Sequence, residues 1–154
     1  MAVREGSERF HLWVVRVSWE DRVVHRVRFA RTGDGGPVPP PLRSYLQGNP
    51  VDLSVLRTPA AEGEGVRAAI YRAVRQVRYG EQATYGEIAE RVGTSPRVVG
   101  QAMAHNPAPL VIPCHRIIGS RGIGGFSPDI EIKVRLLSME VKGVAGRGSS
   151  SPEQ

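Results

Sequence analysis

The densest chemistry in this 154-residue chain lies in Leu110-Val111-Ile112-Pro113-Cys114-His115-Arg116-Ile117-Ile118. A short apolar run leads into proline, then a thiol, an imidazole and a guanidinium, then two more apolar residues. A lone cysteine is most often an inert small core residue. A cysteine beside His and Arg is a candidate nucleophile, because cationic neighbours favour the thiolate and the thiolate is the reactive form. At an ordinary pKa of about 8.5, only a few per cent of the thiol ionises at neutral pH without help. His115 is a candidate base, although neighbours in sequence need not point at each other. It could instead work through a water and be oriented by a carboxylate. Glu140, on a helix-like stretch from Ile130 to Val141, is the candidate orienter, with Ile132, Leu136, Leu137 and Met139 as core. Cys114 is the only cysteine, which excludes an internal disulfide and a multi-cysteine zinc site. No metal is expected.

The elements that must position these groups are legible from periodicity and caps. Val66 to Val77 has helical spacing, and Tyr79-Gly80 is read as its end. Thr84-Tyr85-Gly86-Glu87 fits a capping box, with Ile88, Ala89 and Val92 as the buried stripe and Gly93 as the stop. Ser95-Pro96 starts another helix through His105, which Asn106-Pro107 ends. Two short helices joined by Gly-Thr-Ser make a helix-turn-helix, a unit that is either structural or DNA-binding. Gly100, Ala102 and Ala104 give the second helix little side chain. That suits either tight helix packing or close approach to another surface.

Upstream, Phe10 to Val17 and Val23 to Phe29 read as strands of a hairpin, with Ser18 to Arg22 as the turn. In the second strand Val23, His25, Val27 and Phe29 share one face and Val24, Arg26 and Arg28 the other. Gly33 to Pro41 is loop, Leu42 to Leu46 a short helix, and Asp52 to Leu56 a short strand. The expected fold class is α+β. A small N-terminal α/β domain over residues 1–57 is joined by a linker, 58–65, to a mainly helical domain over 66–146. A flexible tail over 147–154 follows.

The formal charge is +6, with 40% hydrophobic and 23% charged residues, an ordinary globular balance. Residues 1–65 carry 9 Arg against 8 acids, whereas residues 66–146 carry 11 basic residues against 6. The second half is therefore the anion-binding candidate, with nucleic acid the commonest large polyanion. No window approaches the roughly 18 apolar residues of a membrane span, and Met1 to Glu8 has no signal-peptide core. A cytoplasmic protein with no membrane partner is expected.

Ile112-Pro113-Cys114-His115-Arg116 resembles the active-site motif of the O6-alkylguanine-DNA alkyltransferases, also called methylated-DNA–protein-cysteine methyltransferases. The resemblance runs over roughly Val66 to Gly143. It takes in Thr84-Tyr85-Gly86-Glu87-Ile88-Ala89, the helix from Arg97 to Met103, and Asn106-Pro107. It implies repair of double-stranded DNA bound through the minor groove, by a monomer, with no cofactor and one alkyl transfer per molecule. Cys114 matches the alkyl acceptor, His115 a water-mediated base, and Glu140 its carboxylate partner. Tyr85 matches the tyrosine that crowds the 3′ phosphate and hydrogen-bonds guanine N3. Arg97 matches the arginine that fills the stack once the damaged nucleotide is flipped out. Gly100, Ala102 and Ala104 match the small residues facing the groove. Asn106 matches the asparagine bracing the turn before the cysteine. In the base pocket the Cys114 and Ile117 carbonyls would read the guanine amine and Ser127 would sit near O6. Where relatives often carry a tyrosine before that serine, this chain has Phe126. The competing readings are a non-enzymatic helix-turn-helix DNA-binding regulator and a thiol hydrolase.

Overall fold

The computed structural model describes residues 2–149. Its N-terminal sheet has three antiparallel strands in sequence order, β1 (Arg4–Phe10), β2 (Trp13–Glu20) and β3 (Val23–Ala30). The sequence predicts only a hairpin, because β1 (Arg-Glu-Gly-Ser-Glu-Arg-Phe) is polar and has no β-branched residue. Pairing decides it: β1 lies against β2 in register from Arg4 opposite Trp19 to Phe10 opposite Trp13. The expected turn at Ser18 is corrected as well. Strand β2 continues to Glu20, and Trp19 is buried with its indole N–H donating to the Pro37 carbonyl at 2.9 Å.

Strand β3 departs from strict alternation. The register shifts between Ser18 and Trp19, which pair with Arg26 and Val24. An extra residue in one strand reverses facing beyond it, so Val24 and Val27 are both buried on the inner face while Arg26 and Arg28 are exposed.

Helix α1 (Pro40–Leu46) packs Leu42, Tyr45 and Leu46 under the sheet. The expected strand at Asp52 is instead a 3-10 turn, Leu53–Val55, capped by Asp52 accepting from the Ser54 N–H at 2.9 Å. Within the expected linker, Pro59–Ala61 form another 3-10 turn, and Thr58 and Ala61 are buried. Helix α2 (Val66–Val74) stops short of the expected Val77, and Arg75 at its C-terminus turns inward. A two-residue strand, β4 (Ala83–Thr84), pairs in parallel with β5 (Ile117–Ile118), tying the start of α3 (Tyr85–Val92) to the segment after the cysteine. The capping box at Thr84 and Glu87 is present, and Gly93 takes the left-handed φ of +88° that a tight helix exit needs. Helix α4 (Pro96–Ala104) follows, with the Ser95 hydroxyl accepting from the Val98 N–H.

The last helix, α5 (Ile130–Ser149), runs well past the expected Val141. Residues 150–154 of the expected tail lie outside the described residues. Ile132 and Leu136 of α5 join the core under the sheet. A second core gathers α2, α3 and α4 around Ile70, Val74, Ile88, Val99 and Ala102. The cysteine segment is the seam between them: Leu110 and Val111 belong to the first core, Ile112 and Ile117 to the second. Fully burying such a side chain is worth about 1.5–3 kcal/mol, so burial on both flanks fixes the backbone that carries Cys114. Among the described residues no helix is long and apolar enough to cross a membrane.

Candidate active site

Cys114 opens a 3-10 turn, Cys114–Arg116, just after Pro113, and its N–H donates to the Ile112 carbonyl at 2.7 Å. The loop ahead of it is bent at Leu110, whose φ of +80° is costly for a leucine and is tolerated because the side chain is wholly buried. Asn106 braces this loop from both sides. Its amide donates to the Ile112 carbonyl at 2.9 Å, and its carbonyl accepts from the Ala108 N–H at 2.9 Å. The same side chain hydrogen-bonds the thiol.

The sulfur lines a cavity of about 550 Å³. Tyr85 at the start of α3, Gly100 and Ala104 on α4, and Phe126 and Ser127 on the loop before α5 share its wall. Val27, Arg28 and Phe29 of β3 also line it, with Phe29 edge-on to Phe126 at 5.8 Å between ring centres. Sequence reasoning did not place β3 at the site. Gly124, with φ +82°, lets the chain pass over Tyr85: a Cβ there would sit 2.8 Å from the phenol oxygen and 3.4 Å from Lys133 Nζ.

Two expectations for this cavity need correction. Ala102 is buried, and its carbonyl accepts from the Tyr71 hydroxyl at 2.8 Å, so it cannot face DNA. The helical period sends Arg97, Gly100, Gln101 and Ala104 outward instead. Ile117 has its side chain in the second core and is absent from the cavity wall, while its carbonyl accepts the Lys133 ammonium at 2.6 Å. Arg97 sits at the exposed first turn of α4, outside the cavity.

The cation expected beside the sulfur is also a different one. Arg116 turns away: its guanidinium donates to both oxygens of Glu140, at 2.9 to 3.2 Å, and to the Val77 carbonyl at 2.9 Å. Burial pushes the Cys114 thiol up, the Asn106 hydrogen bond and then the Lys133 charge pull against it, and the balance leaves the thiol at about 11. Lys133, buried on α5, is itself brought down to about 8 by desolvation. Periodicity carried a signal for it. Lys133, Leu136 and Glu140 lie on one face of α5 at helical spacing, so two charged residues interrupt an apolar stripe.

His115 is buried and held by Glu140, with Nε2 2.7 Å from a carboxylate oxygen. Desolvation lowers its pKa against the pull of Glu140. Burial alone would raise the Glu140 carboxyl, but His115 and then Arg116 hold it well below the usual carboxylate range. The ionised carboxylate accepts the Nε2 proton, which leaves Nδ1 as the basic nitrogen. Nδ1 has no hydrogen-bond partner among the described residues. Tyr45, invisible to sequence reasoning, completes the cluster: its hydroxyl donates to Glu140 at 2.5 Å and lies 3.2 Å from His115 Nε2. Tyr85 is half-buried, and its phenol pKa is raised by desolvation and then by the field of the Cys114 thiolate.

Residues 65–142 match the family model for the 6-O-methylguanine DNA methyltransferase DNA-binding domain. A methylated-DNA–protein-cysteine methyltransferase of Metallosphaera sedula is 43% identical over 99 residues, covering 64% of this chain and 63% of the relative. Its counterpart in Sulfolobus acidocaldarius is 45% identical over 97 residues, covering 63% of this chain and 61% of the relative. The matched stretch is thus under two thirds of either relative. Among solved structures, Mycobacterium tuberculosis OGT in complex with DNA superposes with a TM-score of 0.74 at 25% identity, covering 90% of this chain and 93% of that one. The O6-methylguanine-DNA methyltransferase of Pyrococcus kodakaraensis gives 0.69 at 26% identity, covering 90% and 99%. The family model spans the helix pair, the Cys114 loop and the Lys133–Glu140 face of α5, and the chain belongs to the 6-O-methylguanine DNA methyltransferase family.

Proposed function

We propose that this protein repairs O6-alkylguanine in duplex DNA by moving the alkyl group onto its own Cys114, once per molecule. The observation that carries this reading is the cavity. Its wall runs from the outward face of α4, at Gly100 and Ala104, to the buried sulfur of Cys114. A volume of about 550 Å³ suits one nucleobase, within the range of small-ligand sites. A nucleotide leaving a duplex that lies along α4 enters this cavity without crossing another element. The small side chains at Gly100 and Ala104 fit the narrow minor groove, and Arg97 at the head of α4 fills the stack the nucleotide vacates.

The chemistry is a displacement at the alkyl carbon. His115 Nδ1 takes the Cys114 proton through a bridging water, while Glu140 steadies the ring from Nε2. The thiolate forms a C–S bond as the C–O6 bond breaks, and the electron pair leaves on guanine. Guanine is a poor leaving group as an anion, so a donor must meet it. Tyr85 supplies one, with a phenol that burial keeps protonated. Lys133 favours the thiolate by its charge. The thioether that results is stable, which makes the transfer stoichiometric. Residues 1–57 contribute the β3 wall of the cavity, and the protein acts as a monomer.

Free O6-benzylguanine tests this reading by intact mass. The wild-type chain gains one benzyl group, mapped to Cys114, and Cys114→Ser gains none. A wild-type chain that stays unmodified, or equal labelling of Cys114→Ser, contradicts it.

A further inference from the structure

Tyr45 reaches the cysteine relay from the other half of the molecule. It stands on α1 and is wholly buried. Its hydroxyl donates to the Glu140 oxygen that also accepts from His115, at 2.5 Å against 2.7 Å, so phenol and imidazole share one acceptor. The phenol oxygen is also 3.2 Å from His115 Nε2. Arg116 takes the same carboxylate oxygen at 2.9 Å, and the Gly80 N–H takes the other at 3.0 Å.

We propose that Tyr45 is a positioning residue for the cysteine chemistry: by donating to Glu140 it sets how much of the carboxylate's charge reaches His115, and so how readily the ring accepts the Cys114 proton. The proposal rests on the alkyl-transfer reading for its purpose, but its electrostatics stand on the geometry alone. A fully charged carboxylate beside the ring favours imidazolium, which cannot take a proton. A phenol donating to that carboxylate draws off charge and favours the neutral ring. The direct contact to Nε2 is the longer of the two, so the donation to Glu140 dominates. The other groups around the pair are Arg116 on the cysteine turn, Lys133 on α5 and Tyr79 between α2 and β4. The Tyr79 ring is edge-on to Tyr45 at 5.9 Å. Arg116 and Lys133 also oppose imidazolium, and Tyr45→Phe leaves both in place.

The test is the pH dependence of Cys114 alkylation in the full chain, followed by intact mass with iodoacetamide and, separately, with O6-benzylguanine. The rate rises with pH as His115 loses its proton, and the midpoint of that limb reports the ring. Tyr45→Phe keeps the ring packing and is expected to move the midpoint up by about half a pH unit or more. Full-length protein carrying 3-fluorotyrosine at position 45 retains the hydroxyl as a stronger donor, and its midpoint moves down. A purely structural Tyr45 would lower the melting temperature or scale the rate with the midpoint unmoved. That result in Tyr45→Phe overturns the proposal, as does an unmoved midpoint in the fluorotyrosine protein should Tyr45→Phe fail to fold. The iodoacetamide profile decides the role of Tyr45 even if O6-benzylguanine does not react, an outcome that counts against the alkyl-transfer reading instead.

Discussion

Glu140 joins more of the site than any other side chain, accepting from His115, Arg116, Tyr45 and the Gly80 backbone. Removing one member of a buried ion pair leaves the other charge unpaired, which typically costs about 3–5 kcal/mol. Glu140→Ala strands Arg116, whose side chain is 8% exposed, so a loss of that size is expected in urea unfolding. The pH dependence has a definite sign. The folded carboxyl lies below its unfolded value, so its contribution is complete above the unfolded pKa of about 4.3 and is lost as pH falls below it. Acid unfolding of Glu140→Ala should therefore be shallower than that of the wild-type chain. Equal stability in the two proteins would mean that the cluster orders the site without stabilising the fold.

At the scale of elements, the helix pair is expected to work as a DNA-reading unit. Arg97 is exposed on the first turn of α4 and touches no part of the cavity. Arg97→Ala should slow repair of duplex DNA roughly thirtyfold, equivalent to about 2 kcal/mol of lost stacking replacement, and leave the reaction with free O6-benzylguanine unchanged. Equal losses on both substrates would assign Arg97 to the fold instead. The helix pair was also the most legible part of the sequence, and the reason is locality. The Thr84–Glu87 box, the Gly93 exit and the Ser95 cap each need only residues within one turn, and all three are present. Strand β1 was missed because only its partner makes it a strand, and the facing of β3 was misread because a bulge resets the alternation. Tyr45 was missed for the same kind of reason, its partner Glu140 lying 95 residues away. Ala102 was misassigned because the small residues were grouped by size, whereas the helical period puts Ala102 on the face opposite Gly100 and Ala104.

Over the whole molecule, the two cores meet at the cysteine segment, and Arg75 fastens them. From the end of α2 its guanidinium donates to the Val111 carbonyl at 2.9 Å and to the Leu53 and Leu56 carbonyls at 3.2 and 2.6 Å. The loop that carries Cys114 is thereby bound to the N-terminal turn, and the Val27 N–H, donating to the Pro107 carbonyl at 2.9 Å, ties β3 to the segment ahead of the cysteine. The net charge of +6 is concentrated in residues 66–146. DNA affinity should fall linearly in log–log form as salt rises, because each phosphate contact releases a counterion. A flat salt response would point to a partner other than DNA. The central claim is a single stoichiometric transfer to Cys114, and it is tested most directly by titrating limiting protein with duplex DNA containing O6-methylguanine and weighing the protein. One methyl group per chain, located on Cys114, with an equal amount of guanine restored and no further turnover, is the predicted result. Guanine restored in excess of protein, or a methyl group on any other residue, would contradict it.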